Sequence, residues 1–313
     1  MRNRFARLCA LACALVVCAV VAPGAEGRTD NREKPVYFVH GYANGSDVDC
    51  DKKWNDMMWM FRAWGQSGTL RDTGYYHHDT NCGYALNHHG SHSTHYGNGH
   101  ADGSHTEDTR IEHLAYHLAW DIYDHYSRNG TYVDVVAHSM GGLIIRYAIA
   151  QVERHHPDFP PSIRVEDVVT LGTPHGGARF AALCAVNCNT QVQQMKAGSG
   201  LLGWLEENAW EPDGYGGTDW TTVGSGEDNQ VAADRAVGSD SDRDPIHKYI
   251  GSGHKAWYTD ANGIEHDDYL HDIQDTRDAD VHLYSTGGPG WVFSTSGAWP
   301  VRRADLAVTF GNY

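Results

Sequence analysis

The segment Val133-Asp134-Val135-Val136-Ala137-His138-Ser139-Met140-Gly141-Gly142-Leu143-Ile144-Ile145 constrains this chain more than any other. An apolar run of strand character meets a serine flanked by small residues, and an apolar run of helix character follows with no linker. A strand that reverses into a helix within three residues strains the serine backbone, so the positions two before and two after it must be nearly free of side chain. Ala137 and Gly141 meet that need. Such a turn lifts the hydroxyl above the sheet edge, beside helix N–H groups that favour negative charge. A serine in this pattern also serves as an ordinary helix N-cap. Here it stands at a strand-to-helix junction and is followed by a second glycine, which makes Ser139 the candidate nucleophile.

Arg2, Arg4 and Arg7 precede an apolar run from Leu8 to Ala22, and small residues follow through Ala25 and Gly27. This is the order of a secretory signal, and the run is shorter than the roughly 20 residues of a membrane-spanning helix. Residues 1–27 are therefore expected to be a cleaved signal peptide and residues 28–313 one α/β domain, secreted to the extracellular space without a stable membrane anchor. The expected species is a monomer. Removing Arg2, Arg4, Arg7 and Glu26 takes the formal charge from −16 to about −18, an acidic balance that argues against binding a nucleic-acid backbone. Of the cysteines, Cys50, Cys82, Cys184 and Cys188 remain after processing. An even number in an exported chain favours disulfides, and three connectivities are open. The pairing expected is Cys50 with Cys82, tying down a long loop region, and Cys184 with Cys188, closing a tight local turn.

Pro35 to Gly41 reads as a short buried strand ending at a glycine, and Trp54 to Trp64 as a helix. From Tyr75 to His105 the chain is rich in His, Gly, Asn and Ser, a composition that rarely packs as a core element. Ser104-His105-Thr106-Glu107 has the form of a capping box, and Ile111, Leu114, Leu118 and Ile122 have helical spacing up to the stop at Asn129-Gly130. Further strands are predicted at Val165 to Leu171, Trp220 to Val223 and Lys255 to Thr259, with a Gly-rich insertion from Gly198 to Gly217 that reads equally as a lid or a surface loop. The tail from Thr286 to Tyr313 is read as adding an antiparallel hairpin. Strands alternating with helices, each strand ending in a polar or Gly-rich loop, imply a mostly parallel sheet with its active groups at the carboxyl edge.

On Val39-His40-Gly41-Tyr42, Ala137-His138-Ser139-Met140-Gly141-Gly142 and Leu171-Gly172-Thr173-Pro174-His175-Gly176-Gly177, the chain resembles the α/β-hydrolase superfamily, and within it secreted bacterial triacylglycerol lipases and esterases. The Ala-His-Ser-Met-Gly elbow is similar to that of small Bacillus-type lipases, and the Cys184 to Leu202 region to actinobacterial lipases. The resemblance implies an α/β-hydrolase fold, with a mostly parallel central sheet and helices on both faces. It also implies the order nucleophile, acid, histidine. Downstream of Ser139 the acid that fits best is Asp228, in a loop directly after a strand; Glu227 is the main rival, with Asp219 and Asp234 behind it. The histidine that fits best is His266, with His247, His254, His271 and His282 as competitors and a final helix expected after it. The backbone N–H groups of Tyr42 and Met140 are the expected oxyanion donors.

These parts imply a serine carboxylester hydrolase, lipase or esterase, forming an acyl-enzyme on an ester or lipid substrate, including at a lipid–water interface. The base must be neutral to act, so turnover is expected to fall below about pH 6. An acyltransferase or polyester depolymerase using the same site, and a non-catalytic lipid-binding protein on a hydrolase fold, are the competing readings. His77, His78, His88, His89, His92, His95, His100 and His105 lack a fixed ligand spacing with cysteine or carboxylate partners, so no metal is assigned to them. No cofactor is expected. His138 is expected to pack beside the sheet, and Trp204, Trp210 and Trp220 either to fill a core or to line an acyl pocket.

Overall fold

The computed structural model describes residues 30–86, 105–183, 188–238, 249–271 and 278–311. The expected signal peptide, His88, His89, His92, His95, His100, Cys184 and His247 lie outside the described residues. Strand β1 (Val36–Val39) leads to helix α1 (Cys50–Ala63), strands β2 (Leu70–Gly74) and β3 (Tyr84–Ala85), and helix α2 (Ile111–His125). Strand β4 (Val133–His138) runs into helix α3 (Gly141–Glu153), and strand β5 (Val165–Leu171) into the helices α4 (Arg179–Ala182), α5 (Thr190–Gln194) and α6 (Gly200–Asn208). Strand β6 (Asp219–Ser225), helix α7 (Ala233–Ala236) and strand β7 (His254–Tyr258) follow, then β8 (Ala279–Ser285), β9 (Val292–Gly297) and helix α8 (Pro300–Phe310).

These strands join in one sheet in the order β3-β2-β1-β4-β5-β6-β7-β8-β9. Every pairing from β3 to β7 is parallel, and β8 and β9 add an antiparallel edge. Alternate residues serve opposite faces: Tyr37, Val39, Val135 and Ala137 pack with α2 and α3, whereas Phe38, Val136, Val169 and Leu171 pack with α1 and α8. Covering both faces is what makes β1 and β4 nearly continuous apolar runs rather than alternating ones. Because the β1 to β7 strands point the same way, the loops after β1, β4, β5, β6 and β7 all emerge at one edge. Among the described residues no helix is long and apolar enough to cross a membrane.

Four expectations differ from what the fold contains. The capping box is not the start of α2: Arg110 occupies the cap position without a side-chain bond, and Glu107 instead pairs with Ser46, whose Oγ also accepts from the Glu107 N–H at 2.9 Å. A contact to a distant loop displaces the local signal. The Gly-rich insertion contains α6, capped by Ser199 Oγ on the Leu202 N–H at 3.2 Å and packed through Leu201, Leu202 and Leu205. The buried Arg146 of α3 donates to the Leu205 and Ala209 carbonyls that end this helix. The tail hairpin lies earlier than expected, in β8 and β9, and Pro300 and Gly311 then frame α8 as its first residue and its left-handed stop. Directly after His266 comes a short 3-10 turn, Asp268–Leu270, and the final helix, α8, follows only after the β8–β9 hairpin.

At the opposite edge, Lys34 Nζ lies 3.0 Å from Asp134, 3.1 Å from Glu166 and 3.3 Å from Asp167, all four residues buried. One cation cannot balance three carboxylates away from water. Burial, reinforced by Glu166 against the pull of Lys34, pushes the Asp167 carboxyl up to about 7. The folded state then keeps a proton that the unfolded chain has released, so this group's stabilising contribution is full below about pH 4 and is lost as pH rises through about 7. In Asp167→Asn that descending slope should flatten, as read from urea midpoints across this range; an unchanged slope would contradict the assignment.

Cys50 at the start of α1 and Cys82 before β3 form a disulfide with Cα atoms 4.9 Å apart, across a sequence separation of 32. Cys188 is likewise disulfide-bonded. Since a loop of this length is closed in the unfolded chain as well, Cys82→Ala should lower the unfolding free energy by about 3 kcal/mol. Denaturant titration of oxidised protein and variant checks this, and equal midpoints would refute it.

Candidate active site

Ser139 sits in the turn between β4 and α3 with φ of 55°, the left-handed region that a side chain disfavours. Its N–H donates to Leu171 O at 2.9 Å, and Thr173 Oγ1 donates to its carbonyl at 2.8 Å, so the turn is clamped to the loop after β5. Close approach explains the glycines. A Cβ on Gly41 would lie 2.5 Å from Ser139 Cβ, one on Gly141 2.3 Å from Val39 O, and one on Gly142 2.2 Å from Thr173 Oγ1. Gly141 was anticipated and Gly41 and Gly142 were not, but all three owe their need for glycine to segments packed against them from neighbouring strands.

The loops after β6 and β7 bring the other two predicted residues to this serine. Ser139 Oγ lies 2.9 Å from His266 Nε2, and His266 Nδ1 lies 2.8 Å from Asp228 Oδ2. With its Nδ1 proton directed at the carboxylate, His266 presents the Nε2 lone pair to the serine O–H. Asp228 is fully buried, and its acceptor sites are occupied. Oδ1 accepts from the Gln230 and Val231 N–H groups at 2.8 Å each, and Oδ2 accepts from Tyr269 OH at 3.2 Å as well as from His266. Burial, together with the Asp228 charge, raises Tyr269 well above the usual phenol value and keeps it a donor. Gly172, with φ of 57°, leaves room for this pair: a Cβ there would stand 3.1 Å from Asp228 Oδ2 and 3.2 Å from His266 Nδ1.

The rivals hold other positions, His271 on the wall of the same cleft as Ser139. Asp219 begins β6 at the far end of that strand, and Asp234 lies in α7. His254 bonds Ser285, His271 pairs with Asp56, and His282 packs at a tilt against Phe293. His175 is buried between Thr170 and Arg146. His138 does more than pack beside the sheet. Its Nε2 donates to the His266 carbonyl at 2.7 Å, and burial, with Lys53 and His266 adding to it, holds its pKa well below the usual histidine value. A neutral His138 therefore fixes the backbone of His266. Neither this contact nor Tyr269 was anticipated, although Tyr269 lies only three residues beyond His266.

The site opens into a cleft of about 380 Å³ whose wall includes Tyr42, Ala43, Lys53, Ser139, Gln230 and His266. Tyr42 follows Gly41, and its hydroxyl accepts from Asn189 Nδ2 at 2.8 Å. Met140 follows the serine and caps α3. Trp220 is a core residue, its indole N–H donating to Pro212 O at 2.9 Å, and Trp204 packs on Tyr147 with ring centroids 4.8 Å apart. Of the histidine-rich stretch, His77 and His78 are exposed, whereas His105 is buried with His113 and His117 of α2.

An added Cβ at Gly41 must displace the serine it touches. Gly41→Ala should leave the fold in place yet slow fluorophosphonate labelling of Ser139 by about 10²-fold, the scale of a misplacement near 1 Å. Labelling at the unaltered rate would show that the Gly41 contact does not position Ser139.

A sequence model of the family described as "Putative serine esterase (DUF676)" matches residues 95–206, which include α2, the Ser139 turn and β5. No curated protein matches the chain. Among solved structures, Aspergillus fumigatus lipase B is 14% identical with a TM-score of 0.49, covering 79% of this chain and 52% of its own. The mature form of a Bacillus licheniformis lipase is 18% identical with a TM-score of 0.44, covering 66% of this chain and 80% of its own. The phospholipase PlaB of Legionella pneumophila is 16% identical with a TM-score of 0.40, and the match spans 61% of this chain but only 37% of that longer one. The strand order, the serine at the turn after β4, and the acid and histidine after β6 and β7 establish that this chain has the α/β-hydrolase fold.

Proposed function

We propose that the chain is a secreted serine carboxylester hydrolase in which Ser139, His266 and Asp228 form the catalytic triad. The observation that carries this reading is the unbroken sequence of contacts from Ser139 Oγ to His266 at 2.9 Å and from His266 to Asp228 at 2.8 Å. The family described as a serine esterase, whose match includes Ser139, supports it. The order of basic, apolar and small residues before Arg28 supports secretion.

In this mechanism Ser139 Oγ attacks the acyl carbon while His266 Nε2 takes its proton. Asp228 holds the ring in the required tautomer and stabilises the imidazolium that forms. Charge develops on the carbonyl oxygen, and the N–H groups of Tyr42 and Met140 are assigned as its donors. His266 then gives its proton to the leaving alkoxide, and water, activated by the same imidazole, releases the acid. Asp47, Asp49, Lys52, Lys53 and Asp267 line the cleft beside Tyr42, Ala43 and Val48. A wall this charged favours short acyl chains over long ones, because long alkyl groups gain only where apolar surface receives them.

Ser139→Ala should abolish fluorophosphonate labelling and p-nitrophenyl ester hydrolysis, and Asp228→Asn should lower kcat on the order of 10⁴-fold. Full activity in a folded Ser139→Ala protein would end the proposal. Initial rates from acetate to palmitate esters should peak at the short end, and a palmitate optimum would overturn the short-chain assignment while leaving the triad intact.

A further inference from the structure

Outside the cleft, three buried imidazoles converge. His113 Nε2 lies 3.1 Å from His105 Nε2 and 3.0 Å from His117 Nε2, and one ligand nitrogen from each of the three rings falls within 4.8 Å of the others. His113 and His117 occupy neighbouring turns of α2, so their rings share one face of the helix. His105 approaches that face from the preceding segment, all three residues being fully buried.

Two of the rings compete for one nitrogen of the third. A ring nitrogen carries either one proton or one lone pair in the ring plane, so His113 Nε2 serves one partner well and meets the second with like charge. His105 is further restricted. Its Nδ1 donates to Tyr75 O at 3.0 Å, which leaves a lone pair, not a proton, on its Nε2. Three imidazole nitrogens gathered this closely are a donor set suited to a divalent transition ion. Nitrogen ligands about 2.0–2.1 Å from a tetrahedral zinc are spaced roughly 3.3 Å apart, close to the separations present here. The Tyr75 carbonyl is then the outer partner that fixes a ligating imidazole, as such sites require.

We propose that His105, His113 and His117 bind one zinc ion through their Nε2 atoms, with a water completing four-coordination, as a structural site that positions the loop beside Ser139. None of the three lines the cleft. The connection to that loop runs through Tyr75. Its backbone is joined to His105, its ring stacks on His40 at 3.9 Å, and its hydroxyl lies 2.8 Å from both the His40 and Gly41 carbonyl oxygens. Asp79 reinforces the same loop, accepting from the Tyr75 and Tyr76 N–H groups and bonding His40 Nε2 at 3.0 Å. Filling the site would tie the start of α2 to Tyr75 and, through it, to Gly41.

The test is elemental analysis of the full chain, purified without a histidine tag and dialysed after exposure to zinc. About one equivalent of zinc should remain in the protein and in a His77→Gln/His78→Gln variant, and be lost from His113→Gln. Cobalt added to chelator-stripped protein should give the visible bands of a four-coordinate ion, displaced by zinc, and the stripped protein should melt at a lower temperature until zinc is restored. These readouts use no substrate and are independent of the esterase reading. If His113→Gln fails to fold, stripping and refilling the unaltered protein decides the matter alone. Absence of retained zinc together with absence of four-coordinate cobalt bands would overturn the site, as would loss of zinc in the His77→Gln/His78→Gln variant.

Discussion

The left-handed backbone of Ser139 is the constraint on which the rest of the site depends. A non-glycine residue held there costs on the order of 1–3 kcal/mol, and it persists only when its surroundings allow no relaxed alternative. Those surroundings come from three strands. Gly41 and Gly141 let the loop after β1 press against the turn, while Leu171 O and Thr173 Oγ1 hold the serine backbone from the β5 side. The strain raises the hydroxyl to a point that the loops after β6 and β7 also reach. Relaxing it would withdraw Oγ from His266.

The side-chain polar atoms of Asp228 and His266 are all occupied. Asp228 accepts from two backbone N–H groups, a phenol and an imidazole, so no unoccupied acceptor draws it away from His266. His266 is fixed at both ends: its ring lies between serine and aspartate, and its carbonyl receives the neutral His138. Lys53 pairs with Asp267, the next residue, at 2.5 Å. A buried network held in this way favours one arrangement of Ser139, His266 and Asp228.

On the other side of the serine, the loop after β1 is held by contacts that have nothing to do with the triad. Asp79, Tyr75 and His40 interlock through backbone N–H groups, a stacked ring pair and a phenol. The Cys50–Cys82 disulfide anchors the start of α1 to the segment that follows Asp79. The histidine cluster at the start of α2 joins this assembly through Tyr75, in a stretch whose composition reads as solvated loop. Polarity in sequence does not distinguish a solvated histidine from one buried against two others.

Local chemistry made the elbow legible. Small residues around Ser139, an apolar strand before it and an apolar helix after it belong together because the turn's sterics act over a few residues. The Val165–Leu171 strand and the α2 register follow equally from periodicity. Asp228 and His266 could be ranked by chain order and loop position, but nothing local separated them from Glu227 or His271. Their selection, like the roles of Tyr269, His138, Gly41 and Gly142, was decided by parallel strands that bring loops from distant parts of the chain to one edge. The capping box gave way to a contact with Ser46, and the histidines of α2 acquired partners through a segment folded back against them. Short-range sterics and periodicity are written in adjacent residues, whereas hydrogen-bond partners and close approaches across the sheet exist only once its register brings those residues together.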